Sequence, residues 1–431
     1  MRAVGSEAQT LPSQEVRRSG WGVAIAATLG MSVSYIDRQT LAAIAPAVRT
    51  ALAINHAEFG WLVSAFSMAY FVGAPTAGVV VDRLGARRGF AVAVVIWSIV
   101  AGAHALVTSF AMLFALRVLL GAAEAPSFPA AAQAIRRSLP ARGRSAAYGL
   151  LFTGSSLGAM IAAPLALSIE SELGFRAAFV GTAAVGMLWI PFWLVMTRGD
   201  RIPPADAGAT AGDAMHHAPA MPEIAPARWL DVIRSPAVLR AVVAVFGSAP
   251  ALMFVLNWTS QYLVEQWHIP KLGTRWYLVV APLLFDVGAV GFGWIASRRE
   301  SEVLPSPAGR EKRTHLDLFL IAGAMAALLV FAPLASSPEV AVAIFGAAAC
   351  GGGGIYVLAT ADMLSRVPLG KTSSAGGMTA AAQSLAHIIA SPLVGMAIDR
   401  THSYSLVLVV LGLVVVPTSL AFVLWPRATS R

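Results

Sequence analysis

Four ionisable side chains stand in stretches that are otherwise apolar: Asp37 and Arg38 in the run 20–45, and Arg117 and Glu124 in the run 111–135. At the middle of a bilayer a charge costs about 2.5–3.5 kcal/mol even on the mildest scale, so four of them in two segments need a reason. The chemistry these residue types could do is the joint handling of an anion and a proton. A guanidinium offers a planar fork that matches a carboxylate. Burial and a neighbouring guanidinium act on the proton of a carboxyl group in opposite senses, and an arriving anion changes that balance. A salt-bridge network that only staples two helices is the competing reading.

Helices must position these groups. A spanning helix takes about 20 mostly apolar residues. Twelve such runs emerge, at 20–45, 59–81, 89–107, 111–135, 145–169 and 177–196, then 236–264, 276–296, 316–334, 340–364, 373–398 and 404–424. At 1.5 Å per residue, Asp37 and Arg38 lie roughly 25 Å along the first run, while Arg117 and Glu124 lie roughly 9 and 20 Å along the fourth, which enters from the other side. Asp37, Arg38 and Arg117 are therefore expected at one level, with Glu124 deeper. Arg117 and Glu124 are two turns apart and project from one face.

Composition agrees: the chain is 57% hydrophobic and only 12% charged, against about 25% charged in soluble domains. Lipid must cover the remaining apolar surface. The net charge of +9 does not point to nucleic acid, because the basic residues are scattered between apolar runs. They are also unevenly sided. Arg49, Arg176, Lys271, Arg275 and Arg400 are the only basic residues on one side; apart from Arg38 and Arg117, the rest of the 31 fall on the side that holds both termini. By the positive-inside rule that side is cytoplasmic, in a bacterial inner membrane. Residues 1–19 read as a cytoplasmic tail before a retained first helix rather than a cleaved signal, and 425–431 as a second tail. The polar stretch 197–235 reads as a cytoplasmic linker between bundles 20–196 and 236–424. His216 and His217 within it have no further ligand at metal spacing, so no metal is expected. A single cysteine, Cys350, excludes an intrachain disulfide.

Residues 156–165, SLGAMIAAPL, match 384–393, SLAHIIASPL, at six of ten positions, at an offset of 228 residues that corresponds to one six-helix half. Parallel six-helix halves are one of the repeat architectures of secondary transporters. The segment 78–88, GVVVDRLGARR, resembles the signature loop of the major facilitator superfamily, with Gly78, Asp82, Arg83, Gly85, Arg87 and Arg88 at its principal positions. Only a degenerate counterpart, without the Asp, follows at 293–299. The segments 34–46, SYIDRQTLAAIAP, and 117–129, RVLLGAAEAPSFP, resemble the anion:cation symporter family, on its bacterial hexuronate, galactonate and glucarate branch, as do GFRAAF at 174–179 and RSPAVLR at 234–240.

The resemblance implies an all-α membrane fold of twelve transmembrane helices, with the first and fourth side by side along a central cavity. It implies proton-coupled uptake of a small organic anion such as a sugar acid, by alternating access in a monomer. Asp37 and Glu124 are then the proton-coupling residues, Arg38 and Arg117 the substrate-carboxylate ligands, and the 78–88 loop the gate. Tyr70 occupies the position where relatives place a sugar-hydroxyl contact. Ser155 and Gln383 correspond under the 228-residue offset and could address hydroxyls, and Asn257, Gln261, Asp286, Thr360 and His387 are further polar groups within the runs. Each could equally be a packing residue. Other classes stay open: a carrier of a non-sugar carboxylate, a drug:proton antiporter, which the absence of a Gly-Pro pair in 149–164 disfavours, or a membrane sensor. No loop brings together the groups an enzyme needs, and no cofactor beyond the coupling ion is implied.

Overall fold

The computed structural model describes residues 14–198, 235–301, 316–367 and 372–425. The expected linker apart from its ends, with His216 and His217, and most of both tails lie outside them. The first half contains α1 (Gln14–Ala43), α2 (Ala45–Leu52), α3 (His56–Leu84), α4 (Ala86–Ala103), α5 (Phe110–Glu124), α6 (Ser127–Ser138) and α7 (Ala141–Met196). The second contains α8 (Pro236–Asn257), α9 (Thr259–Trp267), α10 (Tyr277–Ser301), α11 (Leu316–Ala327), α12 (Pro338–Arg366), α13 (Thr372–Thr401) and α14 (Ser405–Leu424). Every described element is helical, as it must be where lipid offers backbone groups no hydrogen-bond partner.

Local sequence explains where the runs break. Pro46 sits at the start of α2 and ends α1, so the first run turns once before continuing. The fourth run divides at Ala125–Pro126 into α5 and α6. The side chain of Asn55 accepts from the Glu58 backbone and Glu58 reaches back to Asn55, a capping box that starts α3. Ser109 caps α5 and Ser337 caps α12 in the simpler way. α7 is two helices that meet at Gly174, whose φ of 81° and ψ of 169° turn the chain back where only glycine sits without strain.

Nine stretches among the described residues are long and apolar enough to span a membrane by themselves. One of them, Ala147–Met196, is 50 residues long, far more than the ~20 one crossing takes, and spans twice. α1 and α3 supply the remaining two crossings. They are 30 and 29 residues long, enough for one crossing each. The twelve expected crossings are accounted for in this way. Large side chains such as Leu188, Val290 and Leu424 are 73%, 66% and 75% exposed, as a lipid-facing perimeter requires.

The halves pack chiefly through α3 on α13 and α7 on α10, with α1 meeting α8 and α2 meeting α9. Two apolar cores result. One, built around Val23, Phe90, Trp97, Trp189 and Trp193, belongs to the first half alone. The other fuses the second half with the end of the first half that lies opposite the chain termini, where Leu41, Ile44, Phe59 and Leu62 join Trp258 and Leu263. Close approach of backbones makes these seams. A Cβ on Gly60 would collide with the Ser391 carbonyl of α13, and one on Gly395 with the His56 carbonyl. Within the first half, Gly154 and Gly158 do the same against Thr28 and Ser32 of α1. Gly158→Val is expected to destabilise the first half by about 1–3 kcal/mol through overpacking. A lowered unfolding midpoint in detergent checks this, and an unchanged one would show that α1 and α7 can part.

Candidate functional site

Glu124, at the last turn of α5, is fully buried, and two groups from α1 converge on one of its oxygens. Ser34 donates its hydroxyl to Oε2 at 2.7 Å, and Arg38 places Nη2 3.0 Å from the same atom. Ser34 and Arg38 are one turn apart, so the guanidinium reaches back along α1 to the level of Glu124. The level expected for Arg38 from depth counting is right for its backbone, and its long side chain removes the separation. The other carboxylate oxygen, Oε1, is buried without a hydrogen bond.

An aromatic collar surrounds the pair. The Arg38 guanidinium carbon lies 4.5 Å from the Tyr35 ring, 4.5 Å from the Phe66 ring and 4.9 Å from the Tyr70 ring. That of Arg117 lies 4.8 Å from the same Phe66 ring. Arg117 is 4% exposed and its Nε has no hydrogen-bond partner; its guanidinium rests on the face of the Phe66 ring. Asp37 is 3% exposed and neither of its oxygens closes a hydrogen bond of standard geometry. The Trp97 indole lies within electrostatic reach of it. The four residues thus form one paired acid and base, one buried guanidinium without an ion pair, and one buried carboxyl without any. An unpartnered buried charge costs several kcal/mol. Arg117 gains most when an external carboxylate arrives, and Asp37 when it holds a proton.

The weaker candidates divide. Tyr70 joins the collar directly. His387 of α13 faces the site from the other half, within electrostatic range of Arg38, with its Nε2 buried and unbonded. Gln383 is part-buried one turn away on the same face of α13. The Thr360 hydroxyl on α12 is also buried without a partner. Ser155 donates to the Phe152 carbonyl of its own helix at 2.7 Å, and Asn257 to Met253 at 3.0 Å; neither contacts the four charged residues. Gln261 is fully buried but belongs elsewhere, accepting from Arg49 at 2.8 Å at the end of the bundle opposite the termini. In the 78–88 segment, Gly78, Asp82 and Arg83 lie in the last turns of α3, and the Asp82 side chain lies outside the described residues. Gly85 turns the chain at φ 74°. Arg87 donates to the Thr197 hydroxyl at 3.2 Å while its carbonyl accepts from Trp193, fixing the loop to the end of α7. Arg88 is exposed.

Several contacts carry no local signature. Ser34, Tyr35 and Phe66 become site residues only because α1 and α3 bring them beside α5. Ser156, next to the expected Ser155, donates across the seam between halves to Asp286 at 2.6 Å. A lone acid in the apolar run 276–296 was the available signal for Asp286, and nothing in the sequence names its partner.

With this geometry in place, the comparisons with known proteins are direct. The family model described as Major Facilitator Superfamily matches residues 27–391. The hexuronate transporter of Escherichia coli (strain K12) is 36% identical over 188 residues, 44% of each chain, so the alignment spans less than half of that relative. The hexuronate transporter of Bacillus subtilis (strain 168) is 25% identical over 402 residues, 92% of each chain. A D-galactonate transporter of Escherichia coli O6:H1 is 26% identical over 275 residues, covering 61% of this chain and 64% of that one. Among solved structures, a bacterial homologue of the human lysosomal transporter Spinster has a TM-score of 0.74 at 16% identity, over 97% of this chain and 98% of that one. The nucleoside transporter NupG has a TM-score of 0.67 at 14% identity, over 94% and 98%. The two structures speak to the fold alone. The chain belongs to the Major Facilitator Superfamily, as a multi-pass membrane transporter related to carriers of sugar acids, and is not an enzyme.

Proposed function

We propose that the protein is a proton-coupled symporter that takes up a sugar acid, such as a hexuronate, aldonate or aldarate, by alternating access. The halves 20–196 and 236–424 rock about the central site, with both termini in the cytoplasm. The observation that carries this reading is the buried quartet: Arg38 paired with Glu124, and, among the described residues, Arg117 without an ion pair and Asp37 without a hydrogen bond of standard geometry. The substrate carboxylate docks on Arg117 as a bidentate partner. Its negative charge competes with Glu124 for Arg38, and a proton on Glu124 releases Arg38 to join the anion. Asp37 holds a second proton place beside the pair. Tyr35 and Tyr70, with Gln383, Thr360 and His387 from the other half, offer hydrogen bonds to the hydroxyls of a sugar acid.

The Lys and Arg asymmetry supports the orientation. The relatives that transport hexuronates and galactonate support the substrate class. Purified protein in proteoliposomes is expected to accumulate radiolabelled glucuronate, galacturonate, galactonate or glucarate when the outside is acidic. Saturable uptake indifferent to the pH gradient would refute proton coupling, and failure to take up any carboxylate would refute the substrate class.

A further inference from the structure

At the end of the bundle opposite the termini, the halves are joined by a cluster that the central site does not use. Arg49 of α2 donates to Glu265 of α9 at 2.5 Å and to Gln261 at 2.8 Å. His56, at the start of α3, lies between two carboxylates of the other half. Its Nε2 is 2.8 Å from Glu265 and its Nδ1 is 2.7 Å from Asp399 of α13. Asp399 also accepts from the backbone N–H groups of His56 and Ala57, capping α3 from across the seam. Tyr404, just before α14, donates to Glu265 at 2.7 Å. Ser260 donates to the Ala43 carbonyl nearby, and Trp258 stacks 6.3 Å from the His56 ring.

The groups facing His56 are therefore Arg49 from α2, Glu265 from α9, Asp399 from α13 and Tyr404 from the turn before α14. With an imidazolium, the cluster holds two cations against two carboxylates, and both ring nitrogens have a proton to donate. Neutral histidine has one N–H, so one of the two carboxylate contacts loses its proton, and the cluster is left with a net negative charge. Arg49 Nη2, 3.1 Å from Nδ1, is placed to donate to that nitrogen once it is bare. The ring thus has two competing arrangements, one bridging both carboxylates of the second half and one turned inward to its own half. Burial acts to raise the proton affinity of Glu265, but the bonds from His56 and Tyr404 and the charges of His56 and Arg49 outweigh it and hold the carboxyl below its ordinary range.

We propose that His56 is a second proton-binding site, outside the central quartet, and that its proton latches the exterior gate shut. The proposal rests on the alternating-access reading above, which makes this end exterior and requires these contacts to break before a substrate can enter from outside. A proton on His56 bridges α3 to α9 and α13; its loss removes a charge-assisted bond from the latch and favours the exterior-open form. The carboxylates set the acid limit. Because Glu265 is held low in the latched state, its contribution is present above the ordinary carboxylate range and is lost as pH falls through its lowered value. The latch is tightest when His56 holds its proton and both carboxylates are charged, and it loosens when that proton leaves.

The test uses full-length protein in lipid nanodiscs without substrate, with Cys350 replaced by Ser and spin labels at Ala51 and Gln266, exposed positions on α2 and α9. The inter-label distance distribution is measured by pulsed electron paramagnetic resonance from about pH 5 to pH 9, a range that brackets the charge change of histidines in general. The ratio of long to short distances is expected to rise about tenfold or more across that range, the equilibrium value of one charge-assisted bond. His56→Gln is expected to flatten the response. His56→Arg, which keeps a permanent cation, is expected to hold the short distance at every pH, and it guards against a folding defect in the first variant. Two distances whose ratio ignores pH, or a response unchanged in His56→Gln, would overturn the latch and leave alternating access standing. A single distance under every condition would overturn the latch and count against alternating access as well.

Discussion

Glu124→Gln is expected to collapse gradient-driven accumulation while leaving binding and exchange largely in place. The amide keeps the shape of the carboxyl and an oxygen that can accept from Ser34 and Arg38, the two donors at Oε2. It cannot take up a proton. With one proton moved per monovalent anion, a gradient of one pH unit is worth about 1.4 kcal/mol, or about tenfold accumulation. The variant should fall to a ratio of about one, with counterflow exchange within a few fold of the parent because no proton has to be released to exchange one bound anion for another. Undiminished accumulation would reassign Glu124 to a structural role. Loss of exchange together with accumulation would mean that the Arg38–Glu124 pair shapes the binding site itself. Asp37→Asn supplies the comparison, since Asp37 is also buried but closes no hydrogen bond of standard geometry.

Arg117→Ala is expected to raise the half-saturating concentration of substrate by about 30-fold or more, as loss of one partner of a desolvated charge pair costs about 2–5 kcal/mol. Lys at this position should recover part of the affinity, because an ammonium keeps the charge without the planar fork. The stability readout separates function from structure. Arg117 makes no ion pair with the protein among the described residues and rests on the Phe66 ring, so removing its buried charge should leave the unfolding midpoint unchanged or higher. A lowered midpoint with unchanged substrate dependence would make Arg117 a helix staple instead.

Much of this was legible in one dimension because a membrane simplifies the problem. Apolar length gives the crossings, and the cost of a buried charge makes Asp37, Arg38, Arg117 and Glu124 conspicuous before any contact is known. The same logic hid other residues. Arg49, His56 and Glu265 lie between runs, where charge is ordinary, so nothing marked them as partners 209 and 216 residues apart. Ser155 was singled out through the repeat, yet a helix rotates 100° per residue. It is its neighbour Ser156 that reaches Asp286. Gln261 stood inside an apolar run and read as a cavity group, but the chain turns at Trp258 and carries it to the seam.

The sequence by itself determined that the chain spans a bilayer about twelve times, which helices carry the charges, and which loops carry the positive residues, because these follow from composition and spacing along one helix axis. Tertiary structure alone decided the pairing. That Arg38 rather than Arg117 holds Glu124, that Asp37 is left without a partner, and that His56 stands between two carboxylates of the opposite half all depend on how helices rotate and approach. Small residues such as Gly60, Gly158 and Gly395 set those approaches, and their role becomes visible only when the opposing backbone is in place.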